Sequence, residues 1–177
     1  MRSPRLILAL AAMLSCYSSA RANPLKVGDP APAVSGITET GTTLNLADVY
    51  QRQTYTLVYF YPKADTPGCT QQGCSLRDAY EQLTQKGVAV IGVSLDPAAV
   101  QKTFKEKFHL PFTLIADPDK MVVTAFGVPT RKVPILGELA SRQAYLVKDG
   151  RIVWCDYSAK TDQQAADVLK VIAAQSG

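Results

Sequence analysis

Thr54-Tyr-Thr-Leu-Val-Tyr-Phe-Tyr-Pro-Lys-Ala-Asp-Thr-Pro-Gly-Cys-Thr-Gln-Gln-Gly-Cys74 is the stretch on which the fold is read. Its first seven residues, to Phe60, are β-branched and aromatic without a charge, which suits a strand buried on both faces. Pro62 closes that strand. Thr66 then stands where a helix N-cap belongs, and Pro67 at the first helical position, where no backbone donor is needed. A buried strand that runs straight into a helix is the building step of a layered α/β sheet. Cys69 falls in the first turn of that helix and Cys74 five residues on.

Further along, the same alternation repeats. The helix continues to about Lys86, with Gly87 as its stop. Val88 to Ser94 reads as a second buried strand, Pro97 to Phe108 as a second helix, Phe112 to Ala116 as a third strand and Asp119 to Phe126 as a short helix. Pro129, Pro134 and Gly137 mark residues 128–140 as loop. Gln143 to Val147 and Arg151 to Tyr157 form a hairpin around Asp149-Gly150, and Thr161 to Ala174 is a closing amphipathic helix. Upstream, Val34 to Ile37 and Thr43 to Leu46 flank Gly41 as an N-terminal β-hairpin. This order predicts an α/β fold with a mixed central sheet and helices on both faces. A thioredoxin-like arrangement fits it, as do other three-layer folds.

The chain has 177 residues, 47% hydrophobic and 19% charged, enough for one domain with a sizeable core. Residues 1–22 differ from the rest: Arg2 and Arg5, an apolar run from Leu6 to Leu14, then Ala20-Arg21-Ala22 before Asn23. This is the anatomy of a secretory signal peptide cleaved after Ala22, its apolar run too short for an ordinary membrane span. A domain over 23–177 and export, to a bacterial periplasm, are the expectations. Lipidation at Cys16, the one route to a membrane, is the competing reading, and Met13 suits a lipobox poorly. Loss of Arg2, Arg5 and Arg21 with the leader takes the formal charge from +4 to +1, so the basic excess does not signal nucleic-acid binding. Cys69, Cys74 and Cys155 remain.

Cys69 meets free backbone N–H groups and the positive end of the helix dipole, a setting that favours an anionic, nucleophilic sulfur. Leu76, Tyr80 and Leu83 continue its face as an apolar stripe, whereas Cys74 aligns with Asp78, Glu81 and Gln85. Five residues of ideal helix separate the two Cα atoms by about 8 to 9 Å, and a disulfide needs less than about 7 Å. A Cys69–Cys74 bond therefore requires the first turns to unwind, which Gly73 makes easier. The chemistry this suggests is oxidation of Cys69 to a sulfenic acid, local opening, condensation with Cys74 and reduction by an external dithiol. A permanent stapling disulfide and a zinc site are the bland readings. The first conflicts with the spacing, and the second lacks ligands, because His109 is the lone histidine and reads as solvated or half-buried. Val153, Cys155 and Tyr157 share one strand face in regular alternation, which favours a buried structural role for Cys155 over a secondary disulfide partner or a regulatory thiol.

Pro62-x-x-x-Thr66-x-x-Cys69 resembles the active-site motif of the peroxiredoxins, and the C-x4-C helix resembles their Q subfamily, the bacterioferritin-comigratory, atypical 2-Cys type. His109 to Asp119, Phe126-Gly-Val128 and Arg142 to Gly150 match as well, so the likeness runs from about Val27 to the C-terminus. It implies a thioredoxin-like fold and a thiol-dependent peroxidase acting on hydrogen peroxide or organic hydroperoxides. No cofactor or metal is implied. Cys69 would be the peroxidatic and Cys74 the resolving cysteine. Thr66 would hydrogen-bond the peroxide, Pro62 would shield the thiolate pocket, and Arg142 would hold the thiolate and the developing oxyanion. The implied partners are the peroxide and a thioredoxin-like dithiol protein, with the chain a monomer or weak dimer. Gln72 matches a position usually acidic or amide. Ala144 stands where the family often has Ser or Thr, and residues 129–141 lack its usual aromatic and lysine pattern. Two other readings stay open: a thioredoxin-type thiol–disulfide oxidoreductase, weakened by the absence of C-x-x-C, and a peroxide-sensing binding protein.

Overall fold

The computed structural model describes residues 23–175. The leader, its cleavage point and Cys16 lie outside the described residues. The strands are β1 (Ser35–Thr38), β2 (Thr43–Asn45), β3 (Tyr55–Phe60), β4 (Val88–Ser94), β5 (Thr113–Ala116), β6 (Thr130–Val133), β7 (Gly137–Ala140), β8 (Gln143–Lys148) and β9 (Arg151–Asp156). The helices are α1 (Leu46–Arg52), α2 (Pro67–Asp78), α3 (Tyr80–Gln85), α4 (Ala98–Phe108), α5 (Met121–Ala125) and α6 (Gln164–Gln175).

Seven strands form one sheet in the order β2-β1-β5-β4-β3-β8-β9. β3, β4 and β5 run parallel to one another, while β1 and β8 join antiparallel on either side. β3 sits inside this sheet, and all six of its residues are buried. Alternation splits them between two cores. Leu57 and Tyr59 enter the core roofed by α2, α3, α4 and α6, with Leu76, Leu83, Phe104, Val168 and Ile172. Val58 and Phe60 enter the opposite core, with Leu46 and Tyr50 of α1, Val122 of α5 and Phe126 at that helix's C-cap. The unbroken apolar run of β3 is thus the signature of a strand with a helical layer on each face. The fold is the thioredoxin-like α/β architecture.

Several local expectations need correcting. Residues 128–140 are not simply loop, because β6 and β7 pair there as a separate two-stranded sheet. Pro134 and Gly137 lie in its turn and at its far edge, with Ile135 at φ 70° and Gly137 at φ 82°. The breakers mark the hairpin's bend, not an absence of pairing. α1 has no counterpart in the sequence reading. It has only seven residues, and Asn45 starts it by accepting from the Ala47 N–H at 2.9 Å. The long helix to Lys86 is two helices, since Ala79 (φ −97°, ψ 7°) interrupts it between Asp78 and Tyr80. Gly87 does end α3, at φ +72°, and a Cβ there would come 2.7 Å from Thr54 Oγ1.

A β-bulge overturns the shared face of Val153 and Cys155. Val147 pairs with Ile152 but Leu146 pairs with Trp154, which leaves Val153 as the extra residue. Val153 then packs with the α2–α6 core and Cys155 with the α1–α5 core. Cys155 is half-buried, not buried, and its thiol donates to Tyr157 Oη at 3.2 Å, while that phenol donates to the Leu25 carbonyl at 2.8 Å. The hydrogen bond with Cys155, followed by partial desolvation, pushes the Tyr157 phenol up to about 12.

Asp117 carries a testable share of the stability. Its carboxylate accepts from the Val123 N–H at 2.8 Å and so caps α5, whose N-cap residue, Lys120, supplies no side-chain bond. Asp117→Ala is expected to cost about 1–2 kcal/mol in denaturant unfolding. Burial raises the Asp117 carboxyl above its ordinary value, against the pull of the backbone donors. Its favourable share is therefore full below the unfolded carboxyl's titration and shrinks as pH rises through the folded one. Asp117→Asn should show a smaller stability loss over that rise than the parent chain.

Candidate active site

The end of β3 delivers the chain to Tyr61 and Pro62, and the loop that follows is clamped from β4. Asp96, buried just past the strand, accepts from the Ala64 N–H at 2.7 Å and pairs with Lys63 Nζ at 3.4 Å. Ser94 Oγ donates to the same carboxylate at 2.8 Å, and Gln101 of α4 donates to Ser94 Oγ at 2.8 Å. The Tyr61 hydroxyl donates to Gln101 Oε1. Asp65, at φ 58°, is held by Lys107 at 2.7 Å. Sequence reading passed over Ser94, Asp96 and Gln101, which lie 25 to 32 residues beyond Cys69 and join the motif through the parallel pairing of β3 with β4.

Thr66 occupies the N-cap position in extended conformation, but its hydroxyl does not cap the helix. It donates to the Lys63 carbonyl at 2.9 Å, which tightens the loop over the helix mouth. Pro67 is the first helical residue, and the Thr70 N–H closes the first turn on the Thr66 carbonyl at 2.8 Å. Pro62 is half-buried at the top of β3.

Cys69, two residues inside α2, is 2% exposed. Arg142, just before β8, reaches it from across the sheet, with Nη2 donating to Sγ at 3.4 Å. Nη1 of the same guanidinium donates to Gln72 Oε1. The two arms of one rigid fork therefore hold a sulfur and a buried amide one helical turn apart. Gly68 leaves room for this approach, since a Cβ there would stand 3.3 Å from Nη2. β8 lies beside β3, and that pairing is what carries Arg142 to a helix 73 residues away.

Below the sulfur lie two tyrosines, Tyr59 and Tyr61, stacked with ring centroids 5.5 Å apart. Burial raises both phenols well above their ordinary range. For Tyr59 the charges of Tyr61 and Cys69 add to this and Arg142 opposes it. Both stay neutral, so the floor of the site carries no charge, and the guanidinium is the cation in contact with the sulfur. Ala144 pairs with Tyr59 across β3 and β8 and is fully buried.

Cys74 is not brought to Cys69. Both lie within the continuous helix α2, and Cys69, Cys74 and Cys155 are free thiols. Cys74 is half-buried in a shallow groove between α2 and α6, beside Asp78, Asp162 and Leu169. The expected polar face shared with Glu81 and Gln85 is broken, because those residues belong to α3 beyond the Ala79 interruption. His109 is exposed at φ 51°, where it ends α4. Among the described residues no group of three His, Cys, Asp or Glu could hold a metal ion.

The geometry can do one thing well. It presents a recessed sulfur at a helix N-terminus to a small reactant, with a guanidinium fixed where negative charge would develop. Comparisons with known proteins fit that arrangement. The sequence profile of the AhpC/TSA family matches residues 27–155. Peroxiredoxin Bcp of Escherichia coli (strain K12) is 50% identical over 106 residues, 60% of this chain and 67% of that protein. The chloroplastic peroxiredoxin Q of Oryza sativa subsp. japonica is 36% identical over 147 residues, 82% of this chain and 65% of the rice protein. Among solved structures, peroxidoxin BcpB from Mycobacterium tuberculosis superposes with a TM-score of 0.77 at 27% identity, covering 85% of this chain and 97% of that one.

Proposed function

The chain belongs to the AhpC/TSA family, among its peroxiredoxins of the Bcp and Q kind, and from that premise we propose that it reduces hydroperoxides through Cys69, with Cys74 as the resolving thiol. The observation that carries this is the contact of Arg142 Nη2 with the buried Cys69 Sγ at a helix mouth.

The Cys69 thiolate attacks the terminal oxygen of the hydroperoxide. The S–O bond forms as the O–O bond breaks, sulfur loses two electrons, and the leaving oxygen takes a proton to become water or an alcohol. Charge develops on that oxygen, and Arg142 is placed to stabilise it. Pro62 and the Thr66 loop wall the pocket. Thr66 meets the peroxide by turning its hydroxyl from the Lys63 carbonyl to the substrate.

Resolution needs a change of shape. α2 unwinds between its two cysteines, the Cys74 thiol displaces water from the sulfenic acid, and a disulfide forms. A dithiol protein of thioredoxin type then returns both thiols by exchange and leaves as its own disulfide. The leader anatomy of residues 1–22 supports export with cleavage after Ala22, to a compartment where such a reductant must be supplied.

Cys74→Ser is the discriminating variant. It is expected to consume one equivalent of peroxide per chain, accumulate sulfenic acid that a dimedone probe captures, and then stop in the presence of thioredoxin and its reductase. Mass mapping of the parent chain after one equivalent of peroxide should find Cys69 joined to Cys74. Steady turnover by Cys74→Ser at the parent rate would remove Cys74 from this role.

A further inference from the structure

Gln164 opens α6 at the head of an apolar stripe formed by Ala165, Val168 and Ile172, and it is 1% exposed. An amide buried in such a position costs stability unless it is fully hydrogen-bonded. It is not. Its Oε1 accepts from Gln72 Nε2 at 2.6 Å, whereas its own Nε2 is buried with no hydrogen-bond partner.

The orientation is forced from the far end. Arg142 has only donors, so Gln72 must turn Oε1 towards it and Nε2 away. Gln164 must then present its oxygen to Gln72, which leaves its NH2 unmet. Three residues from three separate elements are thereby aligned: α6 holds α2, α2 holds the arginine, and the arginine faces the sulfur. Fold stability alone would favour an apolar residue at 164.

The same end of α6 grips α2 at two further points. Thr161 Oγ1 donates to Gln71 Oε1 at 2.5 Å, and Ser75 Oγ donates to the Asp162 carbonyl at 3.4 Å. Gln71 and Gln72 lie between Cys69 and Cys74, in the stretch that must unwind for the two sulfurs to meet.

We infer that Gln164 is a positioning residue with opposite effects on the two halves of the cycle: it fixes Arg142 through Gln72 for the peroxide step, and it restrains α2 against the opening that resolution requires. This rests on the assignment of Cys69 and Cys74 above. Stopped-flow fluorescence of the single tryptophan, Trp154, separates a peroxide-dependent phase from a peroxide-independent one. Gln164→Leu keeps the volume and removes the acceptor. Its oxidation rate constant should fall roughly 5- to 30-fold, the worth of one buried hydrogen bond, while its resolution phase should quicken several-fold.

Gln164→Glu keeps an acceptor of the same length for Gln72 but buries a charge unless its carboxyl is protonated, so at acidic pH it should bring both phases back towards the parent values measured at that pH. Gln164→Met, unbranched and of similar length, serves if the leucine variant does not fold. Opposite movement of the two phases, with rescue by glutamate, supports the inference, and any other pattern overturns it. A parent chain that leaves peroxide untouched would fail the Cys69 assignment itself, which is a separate and visible result.

Discussion

Cys69→Ser is expected to abolish peroxide consumption in the presence of a dithiol donor, down to the rate of buffer alone. A serine oxygen at this position is a far poorer nucleophile near neutral pH. It also cannot take up a second oxygen to give an intermediate that a thiol can reduce. The substitution removes little else. Cys69 is 2% exposed and its Sγ accepts from Arg142 Nη2, and a slightly smaller hydroxyl fits the same space. Thermal unfolding should stay within a few degrees of the parent, the shift that about 1 kcal/mol produces in a domain of this size. A folded serine variant that still turns over peroxide would show that the sulfur at the helix mouth is not the reacting atom.

Arg142→Ala should produce the next largest loss, about 10²- to 10³-fold in the second-order rate constant with hydrogen peroxide, as for removal of one fixed donor at a developing oxyanion. Two effects combine. The charge beside the sulfur and the leaving oxygen disappears, and Gln72, itself fully buried, loses the donor that orients its oxygen. Arg142→Lys separates them. An ammonium restores a positive charge but cannot hold the sulfur and the amide with one planar fork, so it should recover only part of the rate. Rapid-mixing measurement of both variants checks this. Rates within about threefold of the parent for the alanine variant would remove the arginine from oxyanion stabilisation.

How much of this was legible before coordinates varies by the kind of information each feature needs. The apolar run Val88 to Ser94 predicts a buried strand and β4 spans those residues, because an apolar run buried on both faces is a local property. The Thr66-Pro67 start of α2 was equally local, and so was the Asp149-Gly150 turn between β8 and β9. Arg142 came from the likeness to a known family. By itself it reads as a surface arginine at the entry to β8, and only the β3–β8 pairing gives it a sulfur to face.

The misses are non-local or too small to show. α1 has seven residues, below the length at which periodicity speaks. β6 and β7 were obscured by Pro134 and Gly137, whose place at a hairpin bend depends on the pairing around them. The bulge at Val153 reverses the faces of β9 without any signal in composition. Gln164 has no motif at all. It lies 92 residues from Gln72 and becomes part of the site only when α6 packs on α2.

The interruption at Ala79 bears on how far a tear in the reactive helix can travel. Helices melt cooperatively along a continuous ladder, and a single helix to Lys86 would carry any loosening from Cys74 into the aliphatic anchor at Leu83. Here the ladder is perforated. α3 starts afresh beyond Ala79, with Leu83 fully buried and Tyr80 set against Phe112 at 6.0 Å. If α2 opens between its cysteines as proposed, that segment would come undone and re-form while the seam behind it holds the core shut.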